Sequence, residues 1–190
     1  MAIFLLKMNE FTQILIDSIN SEFLKKRLDE INKHLYNRKQ EGQIRDALLF
    51  DINNGSKLKG LSEFPKKCHG AVDLTLFSEG NRVATIEFKH HYPGDLHLKS
   101  VIDSIIKDIG RVVEVPTSHF VLIIQEREIE EPNEILCELN YMNRNGGVNL
   151  DILEEYIRKI KCFTRHIKEI TIGDSVRSKY TFVVYELCNT

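Results

Sequence analysis

Three side chains, Asp73, Glu87 and Lys89, form the pattern in this sequence best suited to chemistry: an aspartate followed fourteen residues later by Glu-Phe-Lys. Two carboxylates brought close together repel unless a cation compensates them, and either a divalent ion or the lysine can do so. Mg²⁺ takes one or two carboxylates and fills its remaining positions with waters and phosphate oxygens. Such a set suits metal-assisted phosphodiester hydrolysis, in which the metal polarises the phosphate, helps ionise a water and neutralises the leaving oxygen. A neighbouring lysine can hold the attacking water and stabilise the developing negative charge. Spacing of this kind also arises by chance, and strand faces commonly carry Asp, Glu and Lys as solvated pairs. The elements that hold the three residues therefore decide what the pattern means.

Residues 70 to 89 read as a β-hairpin, with runs Ala71–Phe77 and Arg82–Lys89 flanking Ser78-Glu79-Gly80-Asn81. Side chains alternate between the two faces of a strand. Val72, Leu74 and Leu76 share one face of the first run, and Asp73, Thr75 and Phe77 the other. On the second run Ala84, Ile86 and Phe88 share a face opposite Val83, Thr85, Glu87 and Lys89. A three-residue loop, Glu79-Gly80-Asn81, is a common hairpin length and pairs 73 with 87, 75 with 85 and 77 with 83. Both apolar sets then fall on one face, as burial demands, and Asp73, Glu87 and Lys89 fall together on the other. Opposed β-carbons sit roughly 4.5–5.5 Å apart, close enough for two carboxylates to share one cation.

The rest of the chain supplies the elements around this hairpin. Apolar residues at three- and four-residue steps predict one helix over residues 9 to 36 (Phe11, Leu15, Ile19, Phe23, Leu24, Leu28, Ile31, Leu35). A second helix is predicted from Glu41 to Asn53, stopping at Asn53-Asn54-Gly55, and a short strand lies between Leu58 and Phe64. Leu98–Glu114 is strongly amphipathic, and His119–Gln125 is an apolar run of the kind buried in mid-sheet. Helices near Glu131–Tyr141 and Leu150–His166, separated by Asn145-Gly146-Gly147, precede strands Glu169–Ile172 and Tyr180–Leu187, joined through Gly173-Asp174. The order implies an α/β sandwich with a mixed central sheet flanked by helices. At 190 residues it fits one domain: a helical extension over 1–38, a core over 39–126 and an α/β tail over 127–190.

Composition bounds the function without choosing it. A hydrophobic fraction of 42% and a charged fraction of 28% are those of an ordinary globular chain. A net charge of −2 counts against a non-specific nucleic-acid coat but leaves room for local basic clusters that meet phosphate. Cys68, Cys137, Cys162 and Cys188 are scattered without zinc spacing and are expected to be reduced thiols. The apolar run Ala2–Leu6 is too short for a signal-peptide core or a membrane span, so a cytoplasmic, non-membrane protein is expected.

The stretch Gly70-Ala-Val-Asp73-Leu-Thr-Leu-Phe followed by Val83-Ala-Thr-Ile-Glu87-Phe-Lys89 resembles the core motif of the PD-(D/E)XK nuclease superfamily. The order of elements from about Glu41 to Gln125, roughly half the chain, is similar to that family's αβββαβ core. The resemblance implies a restriction-endonuclease-like fold and a Mg²⁺-dependent nuclease, with Mn²⁺ able to substitute. It implies a partner that is nucleic acid, DNA more than RNA, in a restriction, repair, recombination or defence role. Asp73 and Glu87 match the metal-binding acids, with Phe88 counted among the metal-contacting positions, and Lys89 matches the catalytic lysine. Glu41 matches an extra acid that many members carry, although Arg45 one turn on offers it an i,i+4 partner. The helix holding Lys107, Asp108 and Arg111 corresponds to one that often lends a polar side chain to the substrate. Val72 stands where proline is frequent in the family.

Around the motif, His90 and His91 follow Lys89 directly, and His97 lies a short loop away beyond the turn Tyr92-Pro93-Gly94-Asp95. These histidines suit phosphate contact or general-base work, and equally a plain loop role. His90, His91, Lys107 and Arg111 are the candidate substrate-binding residues. One alternative keeps the fold but not the reaction, a catalytically inactive nucleic-acid-binding or regulatory subunit; another is a structural or protein-interaction domain whose long N-terminal helix pairs with a partner. A homodimer is expected if the apolar stripe of the long N-terminal helix pairs with a second copy.

Overall fold

The computed structural model describes residues 2–35, 40–65, 71–92, 96, 99–111, 118–127, 163–172 and 178–187. Helices α1 (Ala2–Ile19), α2 (Glu22–Leu35) and α3 (Glu41–Gly55) precede strands β1 (Lys59–Pro65), β2 (Ala71–Ser78) and β3 (Asn81–His91). Helix α4 (Lys99–Arg111) then leads to β4 (Ser118–Arg127), and β5 (Phe163–Ile172) and β6 (Ser178–Leu187) come after it. The six strands make one sheet in the order β1-β2-β3-β4-β6-β5. Its neighbours are antiparallel except β3 and β4, which are parallel. A parallel pair needs a crossover connection, and α4 is its helix. The sheet is therefore mixed, and α3-β1-β2-β3-α4-β4 runs in the expected αβββαβ order. The strands after residue 127 extend the same sheet beyond β4.

Alternating side chains give the sheet two buried faces. On the first, Leu74, Leu76, Ile86, Phe88, Val121, Ile123, Phe182 and Val184 pack with Phe11, Leu15, Ile19, Leu24, Leu28, Ile44 and Leu48 of α1–α3. On the second, Phe120, Leu122, Ile124, Val183 and Tyr185 pack with Ile102, Ile105 and Ile109 of α4. The layers are thus helix, sheet, helix. Gly60 lets α3 lie close on β1, because a β-carbon there would come within 2.5 Å of Leu49 Cδ1. Asn53 fastens the contact, its Oδ1 accepting from Gly60 N at 2.6 Å.

Several expectations change. The single helix over 9–36 is two helices, broken at Asn20-Ser21. The break has its own chemistry: Asn20 Nδ2 donates back to the Ile16 carbonyl at 3.0 Å, and Ser21 Oγ accepts from Leu24 N at 3.1 Å as the cap of α2. The break re-phases α2 relative to α1, so Phe23 faces outward and stacks on Phe50, ring centroids 5.0 Å apart. The apolar stripe proposed for dimerisation is spent within the chain, where Phe11, Leu15, Ile19, Leu24 and Leu28 belong to the main core. Residues 163–166, expected to end a helix, begin strand β5, because ten residues there pair continuously with β6. The helices expected over 131–141 and 150–162, the junctions at 93–95, 112–114, 145–147 and 173–174, His97 and all four cysteines lie outside the described residues. Among the described residues no helix is long and apolar enough to cross a membrane.

Candidate active site

The hairpin that carries the motif closes with two turn residues where three were expected. Ser78 pairs with Asn81, and Glu79 (φ 49°) and Gly80 (φ 77°) both take positive φ, as type I′ turns require. Continued unbroken, that register would set Asp73 against Ile86 and mix the apolar and charged faces. A bulge corrects it: Phe77 pairs with Arg82 but Leu76 with Ala84, leaving Val83 as the extra residue. The expected pairing of 77 with 83 is therefore replaced, while Thr75↔Thr85 and Leu74↔Ile86 restore the facing. Asp73, Glu87 and Lys89 share the second face, and Val72, Leu74, Ile86 and Phe88 are buried on the first.

At Asp73 the regular pairing is interrupted on both sides. The β2–β3 register runs as far as Leu74↔Ile86, and beyond it Asp73 Oδ2 accepts the backbone N–H of Phe88 at 2.8 Å. On the other side β1 and β2 pair at Ser62↔Leu74 and again at Phe64↔Val72, skipping Glu63 opposite Asp73. Glu63 has a φ of 53°, and the left-handed region costs a residue with a β-carbon about 1–2 kcal/mol. Burial pushes the Asp73 carboxyl above its ordinary range. The Phe88 N–H and the charges of Lys89 and Arg45 pull the other way without cancelling it, and Asp108 adds to the rise.

Lys89 extends to α4, where its Nζ lies 3.1 Å from Asp108 Oδ2, with the two side chains 27% and 10% exposed. Burial alone would lower the Lys89 pKa. Glu41, Asp108 with its hydrogen bond, and Asp73 outweigh burial and raise it, so the ammonium form is held. Glu41, first residue of α3, accepts the backbone N–H of His90 through Oε2 at 2.9 Å. That bond brings the α3 terminus to the end of β3 that carries Lys89. Arg45 meets Asp46 at 2.9 Å and Glu63 at 3.1 Å. Asp108 stands out only in three dimensions. In sequence it is one polar residue of an amphipathic helix, and α4 has to cross the sheet before it meets Lys89.

The remaining candidates separate. Glu87 is 8% exposed and lies on the site face. His91 shares that face and is buried. His90 points to the opposite face, where its ring packs 5.5 Å from Tyr92 and 6.4 Å from Tyr180, an interior position. Phe88 gives its side chain to the core and its N–H to Asp73. Lys107 is exposed on α4, and the Arg111 side chain lies outside the described residues. Among the described residues no group of three or more His, Cys, Asp or Glu side chains converges as a metal cage. Asp73 and Glu87 are two hard oxygen donors on the site face, the ligand type that Mg²⁺ takes alongside water and phosphate oxygens.

No known family matches the chain, and no match is found among the curated proteins or the solved structures.

Proposed function

We propose that this protein is a Mg²⁺-dependent nuclease that hydrolyses phosphodiester bonds, a DNA endonuclease of the restriction, repair or defence type on a restriction-endonuclease-like core. The observation that carries the reading is the half-buried Asp73 carboxylate bonded to the strand between Glu87 and Lys89, on the face where Lys89 is held as a cation. The αβββαβ order from Glu41 to Arg127 supports the core, and the motif's resemblance supports DNA over RNA.

Asp73 and Glu87 would hold the ion, Mn²⁺ substituting for Mg²⁺. When bound, the ion supplies polarisation of the phosphate and a more acidic attacking water. Asp73 has one oxygen committed to Phe88 N–H, which fixes the carboxylate's orientation and leaves Oδ1 to the site. Lys89 stays protonated at neutral pH, so it acts as an electrostatic donor to the charge building on the phosphoryl oxygens and not as a general base. Asp108 limits where that ammonium can swing.

Supercoiled plasmid and a structured RNA, each incubated with and without Mg²⁺ or Mn²⁺, test the reading directly. Wild type is expected to nick or linearise the plasmid only with metal, and Asp73→Ala to lose at least about 10²-fold in rate. Equal cleavage by the two proteins at matched folding, judged by circular dichroism, would sink the assignment.

A further inference from the structure

Arg45 is the cation at this site for which the proposed reaction has no use. It stands one turn after Glu41 on α3, with its side chain only 14% exposed. Its charge reaches Asp73. Its two carboxylate partners are both far out in solvent, Asp46 at 60% and Glu63 at 69%. Exposed ion pairs are weak, so these partners give up a guanidinium readily to a better acceptor. A guanidinium has five N–H donors. Nε serves Asp46 and Nη1 serves Glu63, and among the described residues Nη2 has no hydrogen-bond partner, with Gly42 alongside it. Glu63, in turn, holds a left-handed backbone on the edge strand directly across from Asp73, where both ladders break. Strain of this kind persists where surrounding structure holds it, and it concentrates at functional sites.

We infer that Arg45 is a second phosphate-binding residue of this site, parked on Glu63 in the free protein and transferred to a backbone phosphate neighbouring the scissile one when nucleic acid binds. The inference rests on the nuclease reading above. A planar guanidinium can take two phosphate oxygens at once, whereas Glu63 meets it through Nη1 alone at 3.1 Å. Glu63 then serves as a placeholder anion: it keeps Arg45 extended toward Asp73 and leaves when phosphate arrives. Recognition by this pair is of the phosphate backbone and carries no base sequence.

The test is binding of a fluorescent 20-base-pair duplex, with Ca²⁺ replacing Mg²⁺ to slow cleavage, read by anisotropy across a salt series. Arg45→Ala should weaken binding about tenfold and lower the slope of log K against log salt by about one. Glu63→Gln should tighten binding, since the arginine no longer has to leave a carboxylate, and the gain should vanish when Glu63→Gln is made on top of Arg45→Ala, which a merely structural pair or simple loss of negative charge would not produce. Lys26→Ala, on the exposed side of α2, controls for loss of one positive charge and should leave both quantities unchanged. If the wild type cleaves plasmid but Arg45→Ala keeps wild-type affinity and salt slope, the inference fails and the nuclease reading stands. Weaker or unchanged binding by Glu63→Gln also overturns it. If the wild type neither binds nor cleaves, the nuclease reading falls first and takes the inference with it.

Discussion

Two polar regions of this molecule, one buried and one half-buried, are built on opposite plans. Against α1 and α2, the first face of the sheet carries buried side chains that hydrogen-bond to one another. Thr12 Oγ1 lies 2.9 Å from His119 Nε2 and donates to Glu186 Oε2 at 2.9 Å. Further along, the Tyr180 hydroxyl sits 2.7 Å from both Asn32 Oδ1 and Gln40 Oε1, and Gln125 Nε2 donates to Asn32 at 3.1 Å. Tyr180 has one hydroxyl proton, so one of these amides must turn its N–H toward it. In the second region, Asp73 and Lys89 of the hairpin, Asp108 of α4, and Glu41 and Arg45 of α3 bring formal charges together beside the gaps in two strand ladders and the left-handed Glu63. The first region joins helices to strands through mostly neutral hydrogen bonds. The second gathers formal charge, with burial and a charge partner shifting both Asp73 and Lys89, an arrangement that clusters at functional sites.

That contrast predicts that damage to the two regions reads out in different assays. Thr12→Val should cost about 1–3 kcal/mol, since it removes the buried hydroxyl that both His119 and Glu186 bond, and should leave the cleavage rate at wild-type level. Urea denaturation gives the first number and initial plasmid rates the second. A large rate loss there would erase the distinction between the regions. Asp108→Asn should do the reverse, lowering the rate about tenfold by loosening Lys89 while Tm hardly moves; a differential scan beside a rate assay checks both. If stability falls with the rate, Asp108 belongs to the scaffold.

The smallest effect tests the sign. The Asp73 carboxyl is pushed up from its ordinary value near 3.8, chiefly by burial, so the folded protein binds that proton more tightly than the unfolded chain. Stability attributable to Asp73 therefore falls as pH rises through its folded pKa and is recovered below it, opposite to a salt-bridged aspartate. Without divalent ions, Asp73→Asn should raise Tm at neutral pH by roughly 2–4 °C per kcal/mol of relieved desolvation, and that gain should shrink as the buffer is acidified. A Tm lowered by Asp73→Asn at neutral pH would show that the carboxylate is a stabilising group after all.

The relation of residues along one strand was readable in the letters, because a strand's period of two is a local property. Val72, Leu74, Ile86 and Phe88 inside and Asp73, Glu87 and Lys89 on the reverse follow from alternation alone, as does the apolar β4. The manner of closure was not. A two-residue turn with a compensating bulge at Val83 gives the same facing as a three-residue loop, and the letters do not distinguish them. Nor did helical periodicity reveal the break at Asn20-Ser21, since a capped break preserves most of the apolar spacing on either side.

Residue types and their facing, then, were determined by the sequence itself: two acids and a lysine on one side of a hairpin with an apolar set behind them. Only the tertiary structure decided which charges answer them. Asp108 lies 3.1 Å from Lys89, Glu41 is bound to the His90 backbone, and Glu63 faces Asp73 with Arg45 in its grip. These partners come from a crossover helix, a helix terminus and an edge strand. Their proximity depends on how layers pack, and packing is a property of the whole chain that no local period encodes.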